Sequence, residues 1–284
     1  MMKMDFLSNV ALKSTALKIS ALTLAIAATT ACTTMATGAD HKMSDAPTTA
    51  TATSSTAITL GNAATTSGTN DTVAIGSQAN AGLNSATAVG GQANAAGLGS
   101  TSIGWQSKAT AERAQAFGHL ANASGVRSTA VGEAAMAGGT NDTVAVGNKA
   151  NAGLNSATAV GGEANAAGLG STSIGWQSKA TSERAQAFGH LADASGVRAT
   201  AVGEAAAAQG ANSVAVGNKS MAAGMNSIAI GNEAKAAKNN QVVLGNAGQV
   251  QSSTAAQSGT VRIVTIDDNG TLGTMMVDYY KSAK

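Results

Sequence analysis

The chain has few of the residues that usually hold a globular domain together. Its 284 residues include one Cys and one Pro, and aromatic side chains make up only 2% of them. A single cysteine excludes an intramolecular disulfide, and so few aromatics exclude a thick core of large side chains. Charged residues are also sparse, at 11%, and a net charge of +2 spread along the chain gives no indication of nucleic-acid binding. The apolar content of 44% is nevertheless too high for a disordered chain.

What the chain does contain is a short phrase that ends in glycine, as in Ser227-Ile228-Ala229-Ile230-Gly231. This glycine, which we number position 0 of each repeat, recurs every fourteen residues, with steps of fifteen only at 61→76 and 132→147. A fixed period of this length predicts a solenoid. We therefore expect an all-β fold, a parallel β-roll of about 14-residue coils over residues 58–246. Within it, residues 72–138 recur at 143–209 with an offset of 71 residues, which indicates a recent duplication.

Alternation along the strands predicts which side chains enter the roll. Position −1 always holds a larger apolar residue, and position +5 is Ala from residue 81 to residue 236. Because strand residues two apart share a face, we expect positions −3 and −1 to pack inward onto small residues at +3 and +5. Position −2 would then face outward, and its small uncharged residues predict a surface where a sister chain approaches closely. This predicted interface consists of Ala74, Ala88, Ala116, Ala130, Ala145, Ala159, Ala187, Ala201, Ala215 and Ala229.

Glycine also recurs at position +7, as in Gly97, Gly125, Gly168 and Gly196. We expect the glycines at positions 0 and +7 to occupy turns that require positive φ.

The N-terminus has the features of a secretion signal over residues 1–32. Three lysines accompany an apolar run at 19–28, which is too short to span a bilayer. Small-residue cleavage sites near Ala27, Ala31 and Ala39 leave the position of cleavage open. These features predict export.

Cys32 ends a phrase, Thr29-Thr30-Ala31-Cys32, that is similar to a bacterial lipobox, although Thr29 stands where Leu is usual. Cys32 is therefore either a lipidation site or a residue removed with the signal. The Thr-, Ala- and Ser-rich residues 33–57 predict a flexible tether.

Three phrases carry a family resemblance: Asn226-Ser-Ile-Ala-Ile-Gly231, Asn212-Ser-Val-Ala-Val-Gly217 and Asn155-Ser-Ala-Thr-Ala-Val-Gly161. Together with the fourteen-residue period and the Ala, Ala and Gly that follow, they resemble the YadA-like head repeat of trimeric autotransporter adhesins. The resemblance spans about residues 58–246. It implies a left-handed β-roll in a homotrimer on a bacterial surface or outer membrane. It also implies attachment to extracellular-matrix proteins or cells, and hence a role in virulence.

The chain departs from that family after residue 246. The sequence shows neither the heptads of a stalk nor the long amphipathic strands of a membrane-anchor barrel. A polar link at 247–258 leads instead to apolar runs at 260–266 and 271–277, joined by Asp268-Asn269-Gly270. This pattern predicts a β-hairpin that caps the roll or clasps the trimer, with positive φ at both Asn269 and Gly270. A lipid on Cys32 is the remaining candidate membrane anchor.

No active site, cofactor site or metal site emerges from the sequence, so we expect no enzyme. No Ser/His/Asp set, paired carboxylates or Cys/His spacing accompanies the histidines. Residues 267–270 are faintly similar to a calcium loop, but the other ligands are missing and a turn is favoured.

The rare large side chains are the candidate ligand-binding residues. Trp105 and Trp176 occupy position +1, and His119 and His190 occupy the same position one coil later. A strand spacing of ~4.8 Å would put each His beside its Trp. With Arg113 and Arg184 on nearby turns, these residues predict an aromatic and cationic patch for multivalent binding. The structural alternative is that each Trp covers the glycine one coil earlier, Gly91 or Gly162.

Two function classes compete with an adhesin head. A structural solenoid of a phage or prophage tail fibre would suit the C-terminal hairpin, but the signal-like N-terminus speaks against assembly in the cytoplasm. An ice-binding solenoid would need one flat row of Thr, and the Thr row at position −3 is interrupted by Val and Gln. A host protein is the expected partner, and the repeats do not identify it.

Overall fold

The computed structural model describes residue 52 and residues 56–258 and 262–276. The described residues form two compact units that divide after Ala164. The predicted signal peptide, Cys32 and nearly all of the predicted tether lie outside the described residues. In each unit the chain winds into short coils that alternate a three-residue strand with a two-residue strand. The predicted parallel β-solenoid with fourteen-residue coils is confirmed.

The first unit contains strands β1 to β15. Their bounds are Ile58–Leu60, Thr65–Thr66, Val73–Ile75, Asn80–Ala81, Thr87–Val89, Asn94–Ala95, Thr101–Ile103, Lys108–Ala109, Gln115–Phe117, Asn122–Ala123, Thr129–Val131, Met136–Ala137, Val144–Val146, Asn151–Ala152 and Thr158–Val160. Odd-numbered strands form one parallel sheet, the first sheet, and even-numbered strands form the second sheet. The register matches equivalent positions, as where Ala74 lies opposite Ala88.

The second unit continues the alternation with strands β16 to β27. Their bounds are Asn165–Ala166, Thr172–Ile174, Lys179–Ala180, Gln186–Phe188, Asp193–Ala194, Thr200–Val202, Ala207–Ala208, Val214–Val216, Met221–Ala222, Ile228–Ile230, Lys235–Ala236 and Val242–Leu244. Odd-numbered strands again pair in parallel with one another, as do even-numbered strands. Helix α1 (Ala247–Ala255) and strands β28 (Arg262–Ile266) and β29 (Leu272–Met276) follow.

The interior of each coil accepts only small side chains. In the coils from Gly76 to Gly231 four positions supply it: Ala, Ser or Thr at position −4, Ala or Ser at −2, and small residues at +3 and +5. In one coil these are Ser213, Ala215, Ser220 and Ala222, each with 0% of its surface exposed. The largest fully buried side chains of the described residues are Thr and Ser. The two sheets therefore lie too close together for Val, Ile or Phe to fit between them.

The predicted interface of alanines at position −2 is wrong because the two faces of the first sheet were exchanged. The alanines assigned to an outward face point into the coil, and each is 0% exposed: Ala74, Ala88, Ala116, Ala130, Ala145, Ala159, Ala187, Ala201, Ala215 and Ala229. The larger residues at −3 and −1 face outward instead; Ile103, for example, is 39% exposed. Alternation was predicted correctly, but the thin interior leaves room only for the small residues of each strand.

Backbone hydrogen bonds hold successive coils together. The amide of Gly90 donates to the carbonyl oxygen of Ile75 at 2.7 Å, and the amide of Gln92 donates to that of Ser77 at 2.8 Å. In coils with a buried serine at −2, that serine pairs inside the coil, as where the hydroxyls of Ser102 and Ser107 lie 2.7 Å apart. Such pairing removes the cost of burying a lone hydroxyl.

The glycines at positions 0 and +7 are required for two different reasons. Gly118, at position 0, has a φ of +133°, and a Cβ there would lie 2.6 Å from the carbonyl oxygen of Gly132 in the next coil. Gly97, at position +7, has no positive φ, and a Cβ there would collide with the backbone of Ala111. The expectation of positive φ is therefore confirmed at position 0 and wrong at position +7, where close approach of the next coil excludes a side chain.

Helix α1 replaces the polar link predicted for residues 247–258. A capping box begins it: Asn246 Oδ1 accepts from the Gln249 amide at 2.9 Å, and the Asn246 amide donates to Gln249 Oε1 at 3.1 Å. No residue of α1 is buried. The prediction missed the helix because this segment has no apolar stripe to reveal a helical period.

The C-terminal hairpin is confirmed, with β28 and β29 antiparallel and Val264 opposite Thr274. In its turn the Asp267 carboxylate accepts from the amides of Thr271 and Asn269, and these bonds lower the pKa of Asp267. Positive φ occurs at Gly270 but not at Asn269, so the expectation of two left-handed residues was half right. The role of the hairpin as a cap or clasp stays a prediction.

Candidate binding surface

The turn that follows each three-residue strand, which we call turn A, carries both tryptophans. Trp105 follows Gly104 at the end of β7, and His119 occupies the same position one coil later. Their ring centroids lie 5.0 Å apart with an interplanar angle of 32°. The coil repeat therefore brings the two rings together as predicted. Half of the Trp105 surface, 50%, stays exposed.

Two polar residues extend this contact along turn A. His119 Nδ1 lies 3.5 Å from Glu133 Oε1, and the other oxygen of Glu133 accepts from Asn148 Nδ2 at 3.1 Å. We call Trp105, His119, Glu133 and Asn148 the first ladder. Sequence reasoning missed Glu133 and Asn148, although both occupy position +1 of the next two coils.

The same four positions form a second ladder in the second unit. Trp176 and His190 have ring centroids 5.0 Å apart and an interplanar angle of 23°. His190 Nδ1 lies 3.7 Å from Glu204 Oε1, and Asn218 Nδ2 donates to Glu204 Oε2 at 3.1 Å. The two ladders thus have the same residues in the same order.

Trp105 also lies over the glycine one coil earlier. A Cβ built on Gly91 would stand 3.1 Å from Trp105 Cδ1. The structural alternative to a binding role, that Trp105 covers exposed backbone, therefore holds for this copy. The exposed half of the indole is still available for contact. The same relation between Trp176 and Gly162 stays a prediction.

The candidate arginines lie on the other turn, turn B, which follows each two-residue strand. Arg113 Nε is 3.7 Å from Glu112 Oε1, and Arg184 Nε is 3.8 Å from Glu183 Oε1. Arg113 lies between β8 and β9, whereas Trp105 lies between β7 and β8. The two residues are therefore at opposite ends of β8. The structure thus separates the predicted aromatic and cationic patch into two turns.

One arginine on turn B forms a stronger pair. Arg127 donates from Nε to Asp142 Oδ1 at 2.7 Å and from its terminal nitrogen to Asp142 Oδ2 at 2.9 Å. The hydrogen bond from Arg127 lowers the pKa of Asp142, and the charge of Arg127 adds to this effect. Both side chains are about half exposed.

In each unit the outward face of the odd-numbered strands is a second candidate surface. Positions −3 and −1 carry aliphatic residues, Phe, Thr and Gln, and no charged residue occurs there from Ile58 to Leu244. Exposed aliphatic side chains on this face include Ile103 and Ile174, each 39% exposed, and Ile230, 43% exposed. We call this surface the aliphatic face.

A family model described as the YadA head domain repeat matches residues 84–107, 95–121, 109–135, 123–150, 155–178, 166–192, 194–220 and 222–246. Together these ranges cover more than half of the chain. The chain belongs to the YadA head family. A YadA head is a structural adhesin domain rather than an enzyme, which agrees with the parallel β-roll described above. A search of curated proteins gives no match.

Two further observations concern the described part of this YadA-type head. None of its helices is both long enough and apolar enough to cross a membrane. Across residues 56–258 and 262–276, no three or more His, Cys, Asp or Glu side chains come together as potential metal ligands.

Proposed function

We propose that the chain is the surface-displayed head of a homotrimeric bacterial adhesin that binds a host matrix or cell-surface protein. The observation that carries the proposal is the aliphatic face, an uncharged surface with a row of exposed aliphatic side chains on a YadA-type head. Adhesion then depends on side chains that stay exposed when this face is covered. Turn A, with its two aromatic ladders, is the surface that we assign to the host protein.

The trimer follows from what each coil lacks. A coil interior of Ala, Ser and Thr buries little apolar area, and each square ångström contributes only ~25 cal/mol. The larger apolar side chains point away from that interior, as Ile103 and Ile174 do. Contiguous apolar surfaces of this kind mark protein contacts. Packing three aliphatic faces together about one axis would bury them and add the core that each roll lacks.

The ligand contact follows from composition and exposure. Trp is enriched at the centres of protein interfaces because its large rigid ring loses little entropy on binding. Trp105 and Trp176 are 50% and 49% exposed, and their rings contact those of His119 and His190. Each chain has two Trp–His pairs, so a trimer would display six of them, and several weak contacts together would raise the overall binding affinity. Arg113 and Arg184 on turn B form a separate, cationic contact surface.

The trimer is tested by placing a charge on the aliphatic face. Ile174→Asp should convert the trimer to monomer because three carboxylates would be buried together without partners. Lys179→Asp, on the outward side of the second sheet, is the matched control and should leave the trimer intact. Sedimentation velocity of the exported chain measures both. A monomeric parent protein, or an Ile174→Asp trimer as stable as the parent, would contradict the assignment.

Adhesion is tested at the two ladders. The double variant Trp105→Ala, Trp176→Ala should reduce adhesion of displaying cells to immobilised matrix proteins by at least about tenfold, as removal of a paired hot spot does. Arg113→Ala with Arg184→Ala is the comparison on turn B and should reduce it less. Unchanged adhesion in the tryptophan variant, with trimer mass and melting temperature preserved, would remove turn A from the binding site.

Export and anchoring are tested at Cys32. We assign the chain to the cell surface, held by a lipid on Cys32 in each of three subunits. Metabolic labelling with a palmitate analogue should mark the chain, and Cys32→Ser should abolish the label and release the chain to the medium. Recovery of unlabelled chain from the cytoplasm would favour a tail-fibre protein instead.

A further inference from the structure

A groove of about 360 Å³ opens on the second sheet of the first unit. Gln92, Asn94, Gln106, Lys108 and Leu120 line it. These residues come from three successive coils, at positions +2 and +4. The groove contains amides, one ammonium and one apolar wall, and no carboxylate lines it. Three of these residues, Gln92, Gln106 and Leu120, lie on turn A, so the groove borders the first ladder.

The charge of Lys108 is locally uncompensated. Lys108 is the only charged residue between Asp71 and Glu112. It is exposed, and within the described residues it forms no ion pair. An ammonium in an otherwise neutral stretch of surface attracts an anion, and no neighbouring carboxylate in this stretch competes for it.

Two rows of amide side chains end at this groove. In one row Gln92 Nε2 donates to Gln78 Oε1 at 3.0 Å, and Gln106 Nε2 donates to Gln92 Oε1 at 2.6 Å. Leu120 takes the next place in that row, so no amide follows to donate to Gln106 Oε1.

In the other row Asn80 Nδ2 donates to Asn94 Oδ1 at 3.0 Å, and Lys108 takes the next place. Where the two rows stop, the groove presents a carbonyl acceptor, amide donors and an ammonium. These groups are close to one another because adjacent coils are stacked in register.

We propose that this groove binds a carboxylated sugar. The ammonium of Lys108 pairs with the carboxylate, and the amides of Gln106 and Asn94 exchange hydrogen bonds with ring hydroxyls. Leu120, 43% exposed, contacts the C–H face of the ring. The groove volume falls at the lower end of small-ligand sites, ~300–1,000 Å³, which suits a single sugar ring.

The duplication supplies a natural variant of the site. In the second copy Glu163 stands where the first has Gln92, while Asn165, Gln177, Lys179 and Leu191 keep the other four residue types. A carboxylate at that place repels an anionic ligand. The binding of a carboxylated sugar therefore belongs to the first copy.

The experiment titrates the full chain with glucuronate, with glucose and acetate as probes for the neutral ring and the bare anion. Saturation-transfer NMR and calorimetry should detect glucuronate as the tightest of the three. Lys108→Gln should weaken glucuronate binding by about fivefold, the effect of losing one exposed charge pair. Gln92→Glu, which copies the second groove, should weaken it at least as much. Lys179→Gln is the matched control and should leave it unchanged.

Three outcomes would overturn the proposal: glucose binding as tightly as glucuronate, acetate binding as tightly as glucuronate, or equal losses in the Lys108 and Lys179 variants. Absence of glucuronate binding by the parent chain would do the same. The substituted side chains are on the surface, and unchanged melting curves verify that each variant folds. Trp105→Ala should keep glucuronate binding, so failure of the adhesion site and failure of this groove are distinguishable.

Discussion

The two copies of the 71-residue block, residues 72–138 and 143–209, share their interior and differ on their surface. Among the positions at which they differ, only Ser128 and its counterpart Ala199 are buried. Both are small, and Ser128 satisfies its hydroxyl by donating to the carbonyl oxygen of Gly125 at 2.6 Å. The other differences, such as Gln92 against Glu163, face outward. The interior therefore sets what a coil may contain, and the surface is where the copies can diverge.

Turn B shows how a change of coil length alters one contact. The coil after the first copy has fifteen residues and places Asp142 beside Arg127, which binds it through two hydrogen bonds. The coil after the second copy has fourteen residues and presents Asn212 in the place next to Arg198. Arg198 forms no ion pair in the part of the chain that the structure describes. One inserted residue, together with Asp142 in place of Asn212, thus distinguishes two arginines that the duplication made identical.

The largest expected effect is the same in both copies and concerns the glycine at position 0. Gly118→Ala and Gly189→Ala should each destabilise the fold by more than ~3 kcal/mol, because φ near +130° excludes a side chain and the added Cβ would strike the next coil. Urea unfolding followed by circular dichroism measures this. Gly138→Ala is the control and should be nearly neutral, since its φ is not positive and a Cβ would meet its nearest atom at 3.9 Å. Equal costs at Gly118 and Gly138 would refute the backbone explanation.

A smaller effect should again be equal in the two copies. Ser102→Ala and Ser173→Ala should each cost about 1 kcal/mol, because each removes one hydrogen bond inside a coil, to Ser107 or Ser178. Replacing both members of a pair by Ala should restore most of that stability, as coils built on Ala116 and Ala187 have no such pair. Unfolding midpoints of the single and double variants check this. A double variant worse than the single would show that the pair itself specifies the coil.

The smallest expected effect should differ between the copies and depend on pH. The pKa of Asp142 is lowered mainly by the hydrogen bond from Arg127. The ion pair therefore stabilises the fold at a pH above the ordinary aspartate pKa of about 3.9. This stabilisation is lost as the pH falls through the lower pKa that Asp142 has in the folded state. Asp142→Asn should remove this acid-sensitive component, and Asn212→Asp should create one beside Arg198. Melting temperatures between pH 2 and pH 6 at low and high salt measure both changes. Because both groups are exposed, the effect should be slight and weakened by salt.

Much of the fold could be predicted from the sequence because a solenoid repeats one local rule. The spacing of glycine gave the coil length and the duplicated block, and Asp268-Asn269-Gly270 between two apolar runs gave the hairpin. The contact between the rings of Trp105 and His119 followed from the period alone, since equal positions in successive coils are neighbours. The residues of the capping box that begins α1, Asn246 and Gln249, have the spacing that predicts a helix start. It was missed because no apolar period followed it.

The candidate site could be predicted only in part. Trp105 and His119 could be predicted because large aromatic side chains are rare in this chain. Glu133 and Asn148 are common residue types, and only their contacts along turn A show that they belong to the first ladder. The same reasoning grouped Arg113 with Trp105, although the chain turns between them and places them at opposite ends of a strand. Sequence distance within one coil does not report the side of the coil on which a residue lies.

The sequence by itself determined that small and large residues alternate along each strand, because the period-two geometry of a strand follows from backbone sterics. Only the tertiary structure decided which set is inside. That choice depends on the distance between the two sheets, because turns of four to six residues hold the sheets too close together for side chains larger than Ala, Ser or Thr to fit between them. The large aliphatic side chains are therefore outside, on the face that the proposed trimer would bury.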